Sequence, residues 1–291
     1  MISSLYKYFP ARDSFFDNYL IRATNKLGLN DPFEVNPSID FFISFCQVTK
    51  ETRFGNTAEE IKEYLLSLPP SSNWRNLGLT WYKDHGIVSL TETRDNLLMW
   101  SHYAEDHKGY VVEFDLTHEF FNTKYATDSN SHTGKTQRVL YRKERLREVN
   151  DFFMEPYFHK SDEWAYEKEH RLLLPLHQAQ TKWISTVKLE KYIADNRLKE
   201  VDSTPLSQSL SILNNCQHLG ALIDIPEVMF MFEVPKDAIK SITFGVNADR
   251  DLKVAIKDKL AKQQLNIPVV DAVLDTYDYR LKFNLEILKG N

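Results

Sequence analysis

The spacing of apolar residues predicts an alternation of strands and helices along the chain. "LYKY" near the start is typical of a short strand, and a helix is expected over residues 15–23. Thr57 and Glu60 have the spacing of a capping box, with an apolar helical face behind them that two prolines end. "GIVSLTE" predicts a strand, "RDNLLMWSHYAEDH" a helix that Gly109 ends, and "YVVEF" a buried strand.

The last part of the chain predicts a strand, a helix and a second strand. The buried stripe of this helix is expected to be Leu252, Ile256 and Leu260, and its N-cap Asn247 or Asp249. There is no internal repeat and no strong break in composition. We therefore expect a single α+β domain over residues 1–291, with a mixed central sheet, surrounding helices and an elaboration at about 240–291.

Residues 121–137 are polar and contain few large apolar groups. A long stretch of this kind inside a compact domain is usually a surface loop, and long loops are often functional. We expect it to form a mobile flap near the ligand site.

Composition narrows the choice of partners and compartment. Of 291 residues, 42% are hydrophobic, and 41 acidic against 36 basic residues give a formal charge of −5. No basic block indicates nucleic acid, although this charge does not exclude it. Cys46 and Cys216 do not suggest a disulfide framework. The N-terminus lacks a leader pattern, and the longest apolar runs fall far short of the ~20 residues that span a bilayer. The expected protein is cytoplasmic and has no membrane partner.

The densest candidate chemistry lies in "DEWAYEKEHRLLLP", which begins at Asp162. In an extended segment, Glu167, Glu169 and Arg171 share one face, whereas in a helix Glu163 would join Glu167 and Arg171 in a ladder. The apolar run that follows favours the strand. Neighbouring carboxylates repel, so one of them should have a raised pKa unless Arg171 or another cation compensates. A solvated, salt-bridged strand is the alternative interpretation.

Helical spacing puts Trp100, Tyr103 and His107 on one face, which either packs on a sheet or lines a pocket. His102 and His107 are five residues apart, so one helix cannot readily direct both at one ion, and we expect no metal site. Asn30 with Asp31 is read either as a turn cap or as a ligand contact.

Several motifs, in this order, resemble the bacterial domain-of-unknown-function family 2971. They are "LYKY", "NDPFE", "LMWSHYAEDHKGYVVEF", "VLY", the pattern K-x-x-x-W-x-x-E-x-E-x-R from Lys160 to Arg171, and "VPKDAIKSITFG". The resemblance covers roughly residues 5–250. The family name implies no activity.

The same layout is similar to the three blocks of ADP-ribosyltransferases, which implies an ADP-ribosyltransferase-like fold. By this resemblance Glu169 is the catalytic carboxylate, and Glu167 orients or deprotonates the acceptor. The residues expected to bind the ligand are Tyr6, Lys7, Tyr8, Asn30, Asp31, Trp100, Tyr103, His107, Lys160 and Arg171. Lys7 stands where such enzymes typically have His or Arg, and the chain has no glycine-rich phosphate loop.

This resemblance implies that NAD is the substrate, a nucleotide-type small molecule. The protein would be an ADP-ribosyltransferase or an NAD glycohydrolase, and the resemblance is compatible with a bacterial toxin or an antiphage effector. Its acceptor, a protein or a nucleic acid, is left open. The alternative is a non-catalytic regulatory module that binds an anionic ligand or a partner in the same pocket.

Overall fold

The computed structural model describes residues 2–68, 83–126, 132–150, 154–199, 201–215 and 219–286. Its strands are β1 Ser4–Phe9, β2 Leu20–Ala23, β3 His85–Thr91, β4 Tyr110–Asp115, β5 Gln137–Arg138, β6 Leu140–Arg142, β7 His159–Ser161, β8 Glu169–Pro175, β9 Thr181–Ser185, β10 Asp202–Pro205, β11 Leu210–Asn215, β12 Met229–Glu233, β13 Ile239–Phe244, β14 Val269–Leu274 and β15 Leu281–Glu286. Its α-helices are α1 Phe15–Asn18, α2 Ile39–Thr49, α3 Ala58–Ser67, α4 Leu97–Tyr103, α5 Thr186–Ala194, α6 Leu219–Ile223 and α7 Arg250–Lys262.

In the described part of the chain, an eight-stranded mixed sheet has the order β15-β14-β13-β4-β1-β3-β8-β5. Its neighbours are antiparallel except β13 and β14, which are parallel and are joined through α7. A five-stranded antiparallel sheet has the order β10-β11-β9-β12-β2, and β6 pairs with β7. The expected α+β fold, with a mixed sheet and several helices, is confirmed.

The two larger sheets share a hydrophobic core. The backbone of Thr24, directly after β2, forms a bridge with Ile87 in β3, which links one sheet to the other. Val88, Phe230 and Ile256, which lie in different elements, are each fully buried in the same cluster. Burying a side chain of this size contributes about 1.5–3 kcal/mol, so both sheets and α7 depend on one another. The division into domains stays a prediction.

Local signals explain most of the elements. Thr57 accepts a hydrogen bond from the backbone of Glu60 while the Glu60 side chain reaches back, so the predicted capping box starts α3. The Asp249 carboxylate, rather than Asn247, caps α7 by accepting from the backbone N–H of Leu252 at 2.7 Å. The predicted stripe of α7 is buried.

The helix expected over residues 15–23 is wrong beyond its first turn. Tyr19 adopts a left-handed conformation (φ 56°), which ends α1 after Asn18. Residues 20–23 then form β2, where burial alternates with a period of two, because Ile21 and Ala23 face the core. Pairing with β12 therefore overrides the helical pattern.

The mobile flap expected over 121–137 is wrong for the residues that the structure describes. Phe121 and Tyr125 belong to the hydrophobic core. Thr133 forms a bridge with Leu173, and 137–138 form β5 on the edge of β8. Most residues of this stretch are polar, but its two large aromatic side chains are buried and hold it against the core. Residues 127–131 lie outside the described ranges.

Candidate functional site

A cavity of about 330 Å³ lies where β1, β3, α4 and the start of β8 meet. We call it the glutamate cavity. Eight of the residues predicted from sequence line it: Tyr6, Lys7, Tyr8, Asn30, Tyr103, Lys160, Glu167 and Glu169. The motifs "LYKY", "WSHYAEDH" and "WAYEKEHR" therefore converge on one site, as motif order predicts. The roles of these residues stay predictions.

Five buried charged side chains form one cluster at this cavity, and four of them line it. They are Glu34, Lys160, Glu167, Glu169 and Arg171, and each is less than one-tenth exposed. Three carboxylates face two cations, so the cluster carries a formal charge of −1 when every member is ionised. Buried charges are stable only when they are paired and hydrogen-bonded.

Arg171 holds two of the carboxylates. Its Nε donates to Glu169 Oε1 at 2.8 Å and its Nη2 to Glu169 Oε2 at 2.9 Å. The guanidinium also donates to Glu34 and, through Nη1, to the backbone oxygen of Tyr157 at 2.7 Å. Burial opposes ionisation of Glu169, but the charges of Arg171 and Lys160 outweigh it and lower the pKa of Glu169 to about 2. Glu169 is therefore a fixed, ionised group.

Lys160 joins all three carboxylates. Its Nζ lies 2.6 Å from Glu167 Oε2, 3.3 Å from Glu169 Oε2 and 3.1 Å from Glu34 Oε1. Burial lowers the pKa of Lys160, but the charges of Glu169, Glu34 and Glu167 outweigh it and raise that pKa overall. Its ammonium also sits 4.7 Å from the centre of the Trp164 ring, within cation–π range.

Glu167 differs from Glu169 in the direction of its pKa shift. Burial raises the pKa of Glu167, although the charge of Lys160 opposes the shift. Tyr103 donates its hydroxyl to Glu167 Oε1 at 2.6 Å. Burial and this hydrogen bond together raise the pKa of Tyr103, so the hydroxyl keeps its proton. The site therefore pairs an ionised carboxylate with one that is easier to protonate, a contrast that acid–base catalysis uses.

Among the described residues that line the cavity, Lys7 is the one lysine or arginine that does not belong to the charge cluster. Its Nζ donates to the backbone oxygen of Ser89 at 3.1 Å. Burial lowers the pKa of Lys7 to about 8, although the charge of Glu169 raises it. Lys7 can therefore change its charge near physiological pH.

The backbone between the two glutamates explains how both reach one cavity. Glu167 ends the 3₁₀ helix Asp162–Glu167, and Lys168 is left-handed (φ 44°, ψ 48°). Glu169 then begins β8, so Glu169 and Arg171 lie on a strand whereas Glu167 does not. Thr91 binds the backbone oxygen of Glu167 at 2.6 Å. The strand predicted from the apolar run is correct, but it starts two residues later than Glu167.

Four of the predicted ligand residues do not line the cavity: Asp31, Trp100, His107 and Arg171. Trp100 is fully buried, and its Nε1 donates to the backbone oxygen of Arg94 at 2.7 Å. Asp31 caps a turn by accepting from the backbone N–H of Phe33 at 2.8 Å. Arg171 does not line the cavity and acts through Glu169. Trp100 and Asp31 thus follow the packing and capping interpretations.

His107 is displaced because α4 ends before it. The helix stops at Tyr103, and Glu105, Asp106 and His107 are consecutively left-handed, with φ of 50°, 54° and 66°. His107 stacks on Trp100, with ring centres 6.0 Å apart, instead of sharing a face with Tyr103. The periodic spacing continued past the true helix end.

Sequence reasoning missed three contributors. Glu34 supplies the third buried carboxylate, and it stands in the quoted motif "NDPFE". Ser89 binds Lys7 through its backbone and Glu169 through its side chain. The backbone N–H of Glu169 donates to the Tyr141 hydroxyl at 2.7 Å, and Tyr141 ends the motif "VLY". The motifs for Glu34 and Tyr141 were visible, but their contact partners were not.

The resemblance to family 2971 is confirmed over part of the chain: the family described as "Protein of unknown function (DUF2971)" matches residues 99–172. These residues include most of α4, Lys160, Glu167 and Glu169. The wider extent of 5–250 and the resemblance to ADP-ribosyltransferases stay predictions. Searches of curated proteins and of solved structures gave no match.

Neither a membrane-spanning helix nor a metal-binding group of side chains occurs among the described residues. None of the helices there has the length and apolar character needed to cross a bilayer. In the same ranges, no group of three or more His, Cys, Asp or Glu side chains is arranged to hold a metal ion.

Proposed function

We propose that the glutamate cavity binds a nucleotide-type small molecule and cleaves the nicotinamide–ribose bond of NAD. The protein would act as an ADP-ribosyltransferase or as an NAD glycohydrolase. One observation carries the proposal: aromatic, cationic and carboxylate side chains from three distant segments line a single cavity of about 330 Å³. This volume falls in the range of small-molecule sites.

The charge of the site suits this reaction. Cleavage of the nicotinamide–ribose bond builds positive charge on the ribose, and fixed negative charge nearby stabilises the transition state more than the ground state. The buried cluster holds three carboxylates against Lys160 and Arg171. Its excess of one negative charge supports Glu169 as the electrostatic stabiliser.

Glu167 suits the role of proton acceptor. Its pKa is raised, and a general base works best with a pKa near the working pH. Glu167 would deprotonate water or the acceptor, while Tyr6 and Tyr103 stack on nicotinamide. Lys7 would meet a phosphate of the dinucleotide in its protonated form.

A second candidate function is a non-catalytic module that binds an anionic ligand or a partner protein. It is favoured by the pairing of each cavity glutamate with a buried cation, since such pairing also occurs in rigid structural networks. In that case the cavity would bind its ligand without turnover.

The proposed setting is the cytoplasm, where NAD is available as a substrate. A toxin or antiphage effector would deplete NAD in the producing cell. Expression of the active chain would then slow growth, and expression of a Glu169→Gln variant would not.

The experiment is nicotinamide release from NAD by the purified chain, with and without EDTA, together with NAD binding by calorimetry. Release that persists in EDTA supports NAD cleavage. Binding without release supports the module, and the absence of both binding and release overturns NAD cleavage and leaves the module.

A further inference from the structure

A second cavity, of about 190 Å³, shares Lys160 with the glutamate cavity. We call it the Phe33 cavity. Its lining includes the apolar side chains of Phe33, Pro37, Leu146 and Pro156. This volume is below that of most drug-sized sites, so it suits one ring of a ligand.

The lining of the Phe33 cavity has an excess of positive charge. Arg142, Lys143, Arg145 and Lys160 stand against one carboxylate, Glu144. Lys160 is paired with the buried glutamates, and Glu144 lies 3.4 Å from Arg147. Within the described ranges, Arg142 and Lys143 have no ion-pair partner, and both are exposed. Two cations at the edge of an apolar cavity favour an anion.

An aromatic surface lies beside these cations. Phe33 is 59% exposed and lines the cavity. The Arg145 guanidinium lies 5.7 Å from the centre of its ring, and its N–H groups donate to the backbone oxygens of Asn36 and Pro37. Arg145 thus fixes the loop that carries Phe33, and Phe33 offers a ring face for stacking.

His159 adds a polar atom to the same wall. Its Nδ1 is buried and has no hydrogen-bond partner among the described residues. Burial, with the nearby charge of Arg142, lowers the pKa of His159 to about 4, so the ring is neutral at pH 7. A buried ring nitrogen of this kind gains a hydrogen bond if a ligand supplies one.

We propose that the Phe33 cavity is a second binding site, for an aromatic ring that carries a phosphate, of the class of nucleoside monophosphates. The ring stacks on Phe33 and meets His159 Nδ1, and the phosphate binds Arg142 and Lys143. This site does not depend on NAD cleavage in the glutamate cavity.

The test is calorimetric titration of the full chain with adenosine monophosphate, adenosine and inorganic phosphate. Adenosine monophosphate should bind one to one and more tightly than either part alone. Arg142→Ala with Lys143→Ala should weaken it by about tenfold or more, because two charge-assisted contacts are lost. His159→Phe should weaken the nucleotide and adenosine but not phosphate.

A matched control removes two exposed cations that line neither cavity, Lys240→Ala with Arg250→Ala. Its affinity should equal that of the wild type. The proposal is overturned if adenosine monophosphate does not bind, if phosphate alone binds equally well, or if the Arg142 and Lys143 variant keeps full affinity. It is also overturned if Lys7→Met weakens binding as strongly, since the nucleotide would then occupy the glutamate cavity.

Discussion

Replacing Arg171 with Met tests the buried charge cluster most sharply. Arg171 is completely buried and donates four hydrogen bonds, of which three reach Glu169 and Glu34. Methionine fills similar space but leaves Lys160 alone against three carboxylates. Breaking a buried pair by removing one partner costs about 3–5 kcal/mol. The melting temperature of the variant should therefore be lower than that of the wild type by roughly 6–15 °C.

The pH dependence follows from Glu169. Its folded pKa is about 2, below the ordinary 4.5, so it adds stability that is present above about pH 4.5 and is lost as pH falls towards 2. A shift of this size is worth about 3 kcal/mol at neutral pH. Without Arg171, burial raises the pKa of Glu169, and the variant should lose less stability than the wild type on acidification.

The assay is urea unfolding at pH 7 and pH 4 for the wild type, Arg171→Met and a control, Arg138→Met. Arg138 is on the neighbouring strand β5, is 63% exposed and lies 3.3 Å from Glu92, so its loss should cost less than about 1 kcal/mol. The reasoning is refuted if Arg171→Met unfolds like the control, or if the difference from the wild type is the same at both pH values.

Three further predictions concern single positions near the cavity. Lys168→Gly should raise the free energy of unfolding by about 1 kcal/mol and Lys168→Val should lower it, because the position is left-handed; equal urea midpoints would contradict this. Nicotinamide release at low NAD concentration should fall as pH rises through about 8, where Lys7 loses the positive charge that binds a phosphate, and Lys7→Met should abolish this fall; an unchanged profile in the variant would count against it. Tyr103→Phe should raise the pKa of Glu167 further, since a hydrogen bond to the ionised form is lost. The pKa is measured by carbon-13 NMR of the Glu167 carboxyl group, and the same pKa in the variant and the wild type would contradict this prediction.

Local sequence signals predicted much of the fold. The capping box of α3, the Asp249 cap and the stripe of α7 each depend on residues within one helix or next to its first turn, so the sequence displays them directly. Local sequence signals gave a wrong prediction where the secondary structure depends on residues far away in the sequence. Residues 20–23 became a strand because β12 pairs with them, and no local pattern contains that strand.

In the candidate site, too, the sequence indicated some residues correctly and missed those that depend on distant contacts. Motif order indicated that Lys7, Tyr103 and Glu169 would meet, and they do. The contribution of Glu34 depends on a contact with Arg171 across 137 positions, which spacing cannot predict. His107 was misplaced because three left-handed residues follow α4, and none of them is the glycine that usually marks such a turn.

The central claim is that the cavity carboxylates accelerate cleavage of NAD. The most direct measurement is the rate of nicotinamide release by the wild type, Glu169→Gln and Glu167→Gln, at a temperature where circular dichroism shows all three folded. Glu169→Gln weakens a bidentate pair with Arg171 and will also lower stability, so this folding check is essential. Glu167→Gln can still accept from Tyr103 and should remain more stable than Glu169→Gln. The account predicts that each folded variant is slower by about 10² or more, roughly 3 kcal/mol in the barrier. Folded variants that release nicotinamide at the wild-type rate would contradict it.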